Sequence, residues 1–148
     1  MLSFMTMRTR KKNWKQKSQE VCTSLNKIKA EKRFTDKFYK NLFFLKAGME
    51  TKFAKTDWEE QDKLIRMAID HIIGFLEDQL TSKQNIARIA ETHSHKNMDI
   101  HPHLYYYWID AMIMTAKDLD ADWYDDLAYY YRECLFFPVS FIISMYHK

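Results

Sequence analysis

Two glycines, Gly48 and Gly74, and two prolines, Pro102 and Pro138, are all that this 148-residue chain contains of either type. Sheets joined by tight turns need such residues at most connections, because glycine supplies positive φ and proline pre-sets φ. A chain this poor in both has little means of making repeated sharp reversals. Its abundance of Lys, Glu, Leu, Met and Ala suits helix instead. The length fits one domain with a proper core, so the expected fold class is all-α.

Helical periodicity runs through the chain in consecutive blocks. Residues 18–30 place Val21, Leu25 and Ile28 on one side. Residues 31–46 follow almost without a break, with Phe34, Phe38 and Leu42 in one row and Tyr39 and Phe43 in the next. Gly48 marks a break, and Met49 to Lys55 reads as an irregular piece anchored by Phe53. Thr56-Asp-Trp-Glu59 matches a capping box. It opens a helix whose Leu64, Ile65, Ala68, Ile69, Ile72, Ile73 and Leu76 recur at the helical period. Thr81-Ser-Lys-Gln84 reads as a second box, heading a helix with Ile86, Ile89, Ala90 and His93 on one face. After a linker from Ser94 to His101, Pro102 suits the first turn of the next helix. There Leu104, Trp108, Met112 and Thr115 form a row beside Ile109 and Ile113. The last helix is expected to begin near Asp120 or Asp122, reach Met145 and kink at Pro138.

The net charge of +3 is unevenly spread. Residues 1–17 hold Arg8, Arg10, Lys11, Lys12, Lys15 and Lys17 with no acid, which leaves 17 basic against 20 acidic residues in the remainder. The reading is a basic, flexible N-terminal arm (1–17) ahead of a mildly acidic domain (18–148). Such an arm suits a contact with nucleic acid or an anionic membrane, but a solvated chain end is the plainer reading and a nucleic-acid partner is not expected. No apolar run approaches the roughly 18 residues of a membrane span. The opening residues lack the apolar stretch and cleavage site of a secretory signal. Cys22 and Cys134, on different expected helices, read as reduced, buried thiols of a cytoplasmic protein.

Three polar residues fall on apolar faces. His93 follows Ala90 by three and Ile89 by four residues, which puts it in the buried stripe. It is either a satisfied core histidine or an iron ligand, whose second ring nitrogen then needs an acceptor such as a backbone carbonyl one turn back. Gln61 precedes Leu64 and Ile65 by three and four residues, so its amide faces the same interior unless it is an exposed first-turn residue. Tyr39 shares a face with Phe43, and its hydroxyl needs a partner if buried. His93, His95, His101 and His103 cluster, but Asp99 between them completes no standard zinc pattern. Two isolated glycines cannot make a phosphate loop.

These residues together resemble the globins, among them the single-domain bacterial haemoglobins and the globin domain of flavohaemoglobins. The resemblance covers residues 20–145. It rests on Phe38-Tyr39-Lys-Asn-Leu-Phe43, on Phe53, on Gln61 heading an apolar helix, and on Arg88-Ile-Ala-Glu-Thr-His93. Ile100-His-Pro-His-Leu-Tyr105 and the last helix from Trp123 complete it, and the order of the parts and the 32 residues from Gln61 to His93 give it its strength.

The resemblance implies a globin-like helical fold enclosing haem b. His93 would be the proximal ligand to a penta-coordinate iron, and Tyr39 and Gln61 the distal donors to a diatomic gas, dioxygen first, with NO or CO as others. Phe53 would wedge against the haem, Ile65 and Leu64 would line the gas pocket, Met98 and Ile100 would flank the proximal side, and Lys96, His95 or Lys63 would meet the propionates. Two departures stand out. His103 occupies the position ten after His93 where the flavohaemoglobins have tyrosine, and Glu133 is the last helix's one acid beyond its first turn, so their Tyr–Glu network is not expected. Nitric oxide dioxygenation is expected only with an external reductase. The alternatives are a gas or redox sensor, a haem-free interaction module of the same fold, and an unrelated helical protein. Surplus aromatics (Tyr105, Tyr106, Tyr107, Tyr129) suggest a homodimer.

Overall fold

The computed structural model describes residues 11–148. Among them are six α-helices, one 3₁₀ helix and no strand, as expected. The elements are α1 (Trp14–Ala30), α2 (Phe34–Leu45), a 3₁₀ helix (Met49–Phe53), α3 (Trp58–Leu76), α4 (Leu80–Thr92), α5 (Leu104–Leu119) and α6 (Asp126–Ser144). No described helix is long and apolar enough to cross a membrane.

Several helix starts differ from the sequence reading, each for a local reason. α1 begins within the stretch read as a basic arm, where Asn13 Oδ1 accepts from the Gln16 N–H and Gln16 Oε1 accepts from the Asn13 N–H, both at 2.9 Å. That reciprocal pair satisfies two free donors of the first turn. Lys12 meets Glu20 at 2.5 Å and Lys17 meets Glu133 at 3.1 Å, so two of the arm's cations engage the chain's own acids. Arg8 and Arg10 lie outside the described residues. α2 starts at Phe34 rather than residue 31, because the Phe34 N–H closes a turn on the Glu31 carbonyl at 3.1 Å. The Arg66 guanidinium reaches back to the Lys29 and Glu31 carbonyls and satisfies acceptors at the end of α1.

The cap of α3 is Asp57, not Thr56; its carboxylate accepts from the Glu59 and Glu60 N–H groups at 3.1 and 3.2 Å. The expected box at Thr81 does not form, because α4 has already begun at Leu80. Asp78 turns the chain with φ of 63°, and the Gln79 N–H closes onto the Gly74 carbonyl at 2.8 Å. Pro102 precedes α5 instead of sitting in its first turn. α6 starts at Asp126; Asp120 instead accepts from the Asp122 N–H at 3.0 Å and pairs with Lys27. α6 runs through the buried Pro138 to Ser144. The piece read as irregular, Met49–Phe53, is the 3₁₀ helix.

α2 packs across α5, α3 along α4, and α6 against α1, α4 and α5. The core at their meeting holds Leu25, Ile28, Phe34, Phe38, Ile69, Ile86, Met112, Tyr131 and Leu135, all fully buried. Tyr131 remains satisfied there by donating to Ser24 Oγ at 2.7 Å. Cys22 on α1 and Cys134 on α6 are free and buried, and burial pushes their thiols up to about 11 and about 12.

Both glycines have a defined reason to be glycine. Gly48, at φ of 86°, holds the left-handed turn that ends the α2 connection. Gly74 is where α3 and α4 touch: a Cβ there would overlap the Ser82 Oγ and Cβ. Gly74→Ala is therefore expected to cost about 1–3 kcal/mol by overpacking. Thermal unfolding should show a Tm lower by about 4–10 °C, and adding Ser82→Gly should recover most of it. An unchanged Tm in Gly74→Ala would refute the close approach.

Candidate functional site

Tyr39 and Gln61 lie 22 positions apart, yet the fold joins them. Tyr39 stands on α2 and is 6% exposed. Gln61 stands in the first turn of α3, half-buried, and its Nε2 donates to Tyr39 Oη at 2.6 Å. A phenol oxygen that accepts this bond keeps its own proton available for another acceptor. Burial raises the Tyr39 pKa and the Gln61 bond lowers it, with burial ahead. The hydroxyl therefore stays protonated, and a donor, at neutral pH.

Around this pair sits an aromatic nest. The Tyr39 ring lies 5.2 Å from Phe53, 5.0 Å from Trp58 and 6.0 Å from Phe43, centroid to centroid. Phe53 and Trp58 stack at 6.0 Å with planes 18° apart. Aromatic pairs add about 0.5–1.5 kcal/mol beyond area burial, so the nest fixes where the Tyr39 hydroxyl can point. Trp58 escaped the sequence reading. Its position three before Gln61, on one helical face, was the signal for it.

His93 follows the last residue of α4, half-buried. Its Nδ1 donates to the Ile89 carbonyl one turn back at 2.8 Å and lies 3.1 Å from Thr92 Oγ1. Burial lowers its pKa, against the Ile89 bond, which raises it. The ring is thus neutral at pH 7. A neutral imidazole with its proton on Nδ1 has a lone pair on Nε2. This is the donor set of a metal-ligating histidine whose tautomer is fixed from behind.

The loop after His93 folds back over the end of α4. The Met98 N–H binds the Thr92 carbonyl at 2.9 Å, the Ile100 N–H binds the His93 carbonyl at 3.1 Å, and Asn97 Nδ2 binds the Glu91 carbonyl at 2.8 Å. Acceptors that the helix end leaves open are satisfied in this way, and the backbone under His93 is pinned. The His95 N–H bonds the Tyr146 carbonyl at 2.8 Å, and Tyr146 Oη bonds Asp99, which ties the loop to the chain end.

The remaining expected residues divide. Ile65 is buried, and Ile100 is half-buried and fixed to His93. Leu64 and Met98 present large apolar surface, 48% and 62% exposed. Lys96, Lys63 and His95 are exposed, and His95 pairs with Asp99 at 3.2 Å. Phe53 joins the Tyr39 group; the hydrogen-bond contacts of the His93 ring lie within its own helix end. Among the described residues the Tyr105 hydroxyl is buried without a hydrogen-bond partner, and burial pushes its pKa up. It sits in the first turn of α5, at the end of the loop that starts from His93.

No family model matches the chain, and no curated protein matches it. A solved structure described as a protein structurally highly homologous to a human haemoglobin, from Pseudomonas aeruginosa, is similar to it. The two are 26% identical and superpose with a TM-score of 0.81, over 89% of this chain and 99% of the other.

Proposed function

This chain belongs to the globin family, and from that premise we propose that it is a haem protein that reversibly binds a diatomic gas, dioxygen first among them. Haem, when bound, would supply an iron able to take a protein nitrogen and a small gas. The observation that carries the reading is His93. Its Nδ1–H is held by the Ile89 carbonyl at 2.8 Å, which leaves Nε2 free in a neutral ring. Phe53 and Ile65 are the apolar walls. The exposed apolar surfaces of Leu64 and Met98 are what a flat apolar ring would cover, at about 25 cal/mol per Å². Ile100 braces the proximal side, and Lys96 is the cation nearest in sequence for an acidic edge group.

On the distal side the donor pair acts in series. Gln61 donates to Tyr39 Oη, and a hydroxyl that accepts one hydrogen bond becomes a better donor of its own. Tyr39 therefore meets the gas, and Gln61 orients and polarises it from behind. Gln61→Leu should raise the gas off-rate by only about 3–10-fold, in line with a neutral hydrogen bond near 1 kcal/mol. An effect larger than that of Tyr39→Phe would reverse the order of the pair.

The direct test is absorbance. The purified chain, reconstituted with haem, reduced with dithionite and exposed to CO or air, should give a Soret band that shifts with each gas. No Soret band after reconstitution would overturn the proposal and leave the haem-free interaction module as the better reading.

A further inference from the structure

Four of the chain's six histidines, His95, His101, His103 and His147, stand at one corner of the fold, where the loop after His93 meets the chain end. The Tyr146 ring is the hub of the corner, 5.7 Å from His95, 5.9 Å from His101 and 4.7 Å from His147, centroid to centroid. All four imidazoles are exposed.

One pair among them is set to share an ion. The Leu104 N–H closes onto the His101 carbonyl at 3.0 Å, a turn with Pro102 at its second position, where the fixed φ of proline fits. His101 and His103 flank that proline. Their Nδ1 atoms lie 2.5 Å apart and their ring centroids 4.3 Å apart. Two lone pairs cannot face each other so closely, so one nitrogen carries a proton that the other accepts. A cation between them would take a lone pair from each, and the proton would move to the far nitrogen of its own ring. The Tyr146 hydroxyl and then His95 hold the Asp99 carboxyl below its ordinary range, with a smaller contribution from His101. A negative charge therefore stands near His101 at neutral pH and favours a cation there.

The distances choose the metal. Bonds of about 2.0–2.1 Å at a right angle put two ligand nitrogens about 2.9 Å apart and their ring centres about 4.5 Å apart. The tetrahedral angle of zinc needs about 3.3 Å and about 5.2 Å. His101 and His103 are nearer the right angle. Tetragonal nitrogen sites suit copper(II), which also binds such ligands most tightly of the divalent first-row metals. His95 and His147, with centroids 6.4 Å apart, fit neither angle. Among the described residues no three of His, Cys, Asp and Glu gather to enclose an ion, so water would complete the coordination.

We propose that His101 and His103 form a copper(II) site, which binds the ion through both Nδ1 atoms at adjacent corners of its square plane. The inference does not rest on haem.

Copper(II) chloride added to the full, untagged chain without haem should bind at one ion per chain. Electron paramagnetic resonance should show a tetragonal ion with splitting from two nitrogens. His101→Gln and His103→Gln should each weaken binding by at least about 10-fold, the least that even a partner behind a ligand is worth, with an unchanged helical circular dichroism spectrum. A paired His95→Gln, His147→Gln variant should keep the wild-type affinity and spectrum. Haem-free His93→Ala should also bind copper as tightly as wild type, which keeps this site apart from that of His93. No bound copper at about 100 µM metal would overturn the proposal. So would wild-type affinity in the double variant of His101 and His103, which would put the ion elsewhere. Loss of copper in the His95 and His147 variant would overturn it in favour of the wider cluster, and zinc bound as tightly as copper would overturn the tetragonal assignment.

Discussion

His93→Ala is expected to abolish stable haem retention. Even partners behind a metal ligand are worth about 10–100-fold in affinity, so removing the ligand itself should cost at least about 100-fold. The measurement is haem transfer from the reconstituted protein to an excess of a haem-scavenging protein, followed at the Soret band. Added imidazole separates ligation from structure. It should restore the band in His93→Ala, because it returns a neutral nitrogen to the space the side chain left. Retention as tight as wild type without imidazole would refute the assignment. The pH dependence of the apoprotein has a fixed sign. Burial holds the His93 pKa below its ordinary 6.5. The stability tied to the neutral ring is therefore complete above 6.5 and is lost as pH falls through the lower folded value.

Tyr39→Phe should give the second largest change, a gas off-rate faster by about 10–100-fold. A charge-assisted hydrogen bond is worth about 1.5–3 kcal/mol, and each 1.4 kcal/mol is about tenfold. Stopped-flow displacement of dioxygen by CO measures it. Phenylalanine keeps the ring that packs on Phe53 and Trp58, so the fold should survive and the change reports the hydroxyl. The Gln61→Leu effect should nearly vanish in the Tyr39→Phe background, because Gln61 acts through that oxygen; full additivity would show two independent donors. An off-rate unchanged by Tyr39→Phe would exclude it as the direct donor.

The helical class was legible because scarcity of glycine and proline is a property of the whole chain. Helix starts were not, because side chains one residue apart compete to cap. Thr56 fits the box pattern, yet Asp57, a carboxylate, takes the amides. Leu64 was legible as apolar but not as exposed. It lies at the edge of the stripe centred on Ile65, Ile69 and Ile72, and only the packing decides which edge is covered. The role of His93 was half legible. Its spacing from Ile89 predicts a carbonyl within reach, and the structure has that bond. The loop over it was not, since its turns are backbone bonds that almost any residue can make. The Tyr39–Gln61 bond lay beyond the sequence, because it joins two helices whose relative placement no local pattern encodes.

The Gly74 contact with Ser82 bears on more than stability. Gln61 stands near the end of α3 far from it, and His93 just past the end of α4 far from it. At 1.5 Å per residue the two side chains stand about 20 Å and about 17 Å from that touching point. A helix pair that turned about Gly74 would act like calipers. A rotation of about 5° there would become about 1.5 Å at the tips, more than the proposed bond from His93 to iron would tolerate. A larger residue at Gly74 would then move the Gln61 and His93 ends apart as well as lower stability.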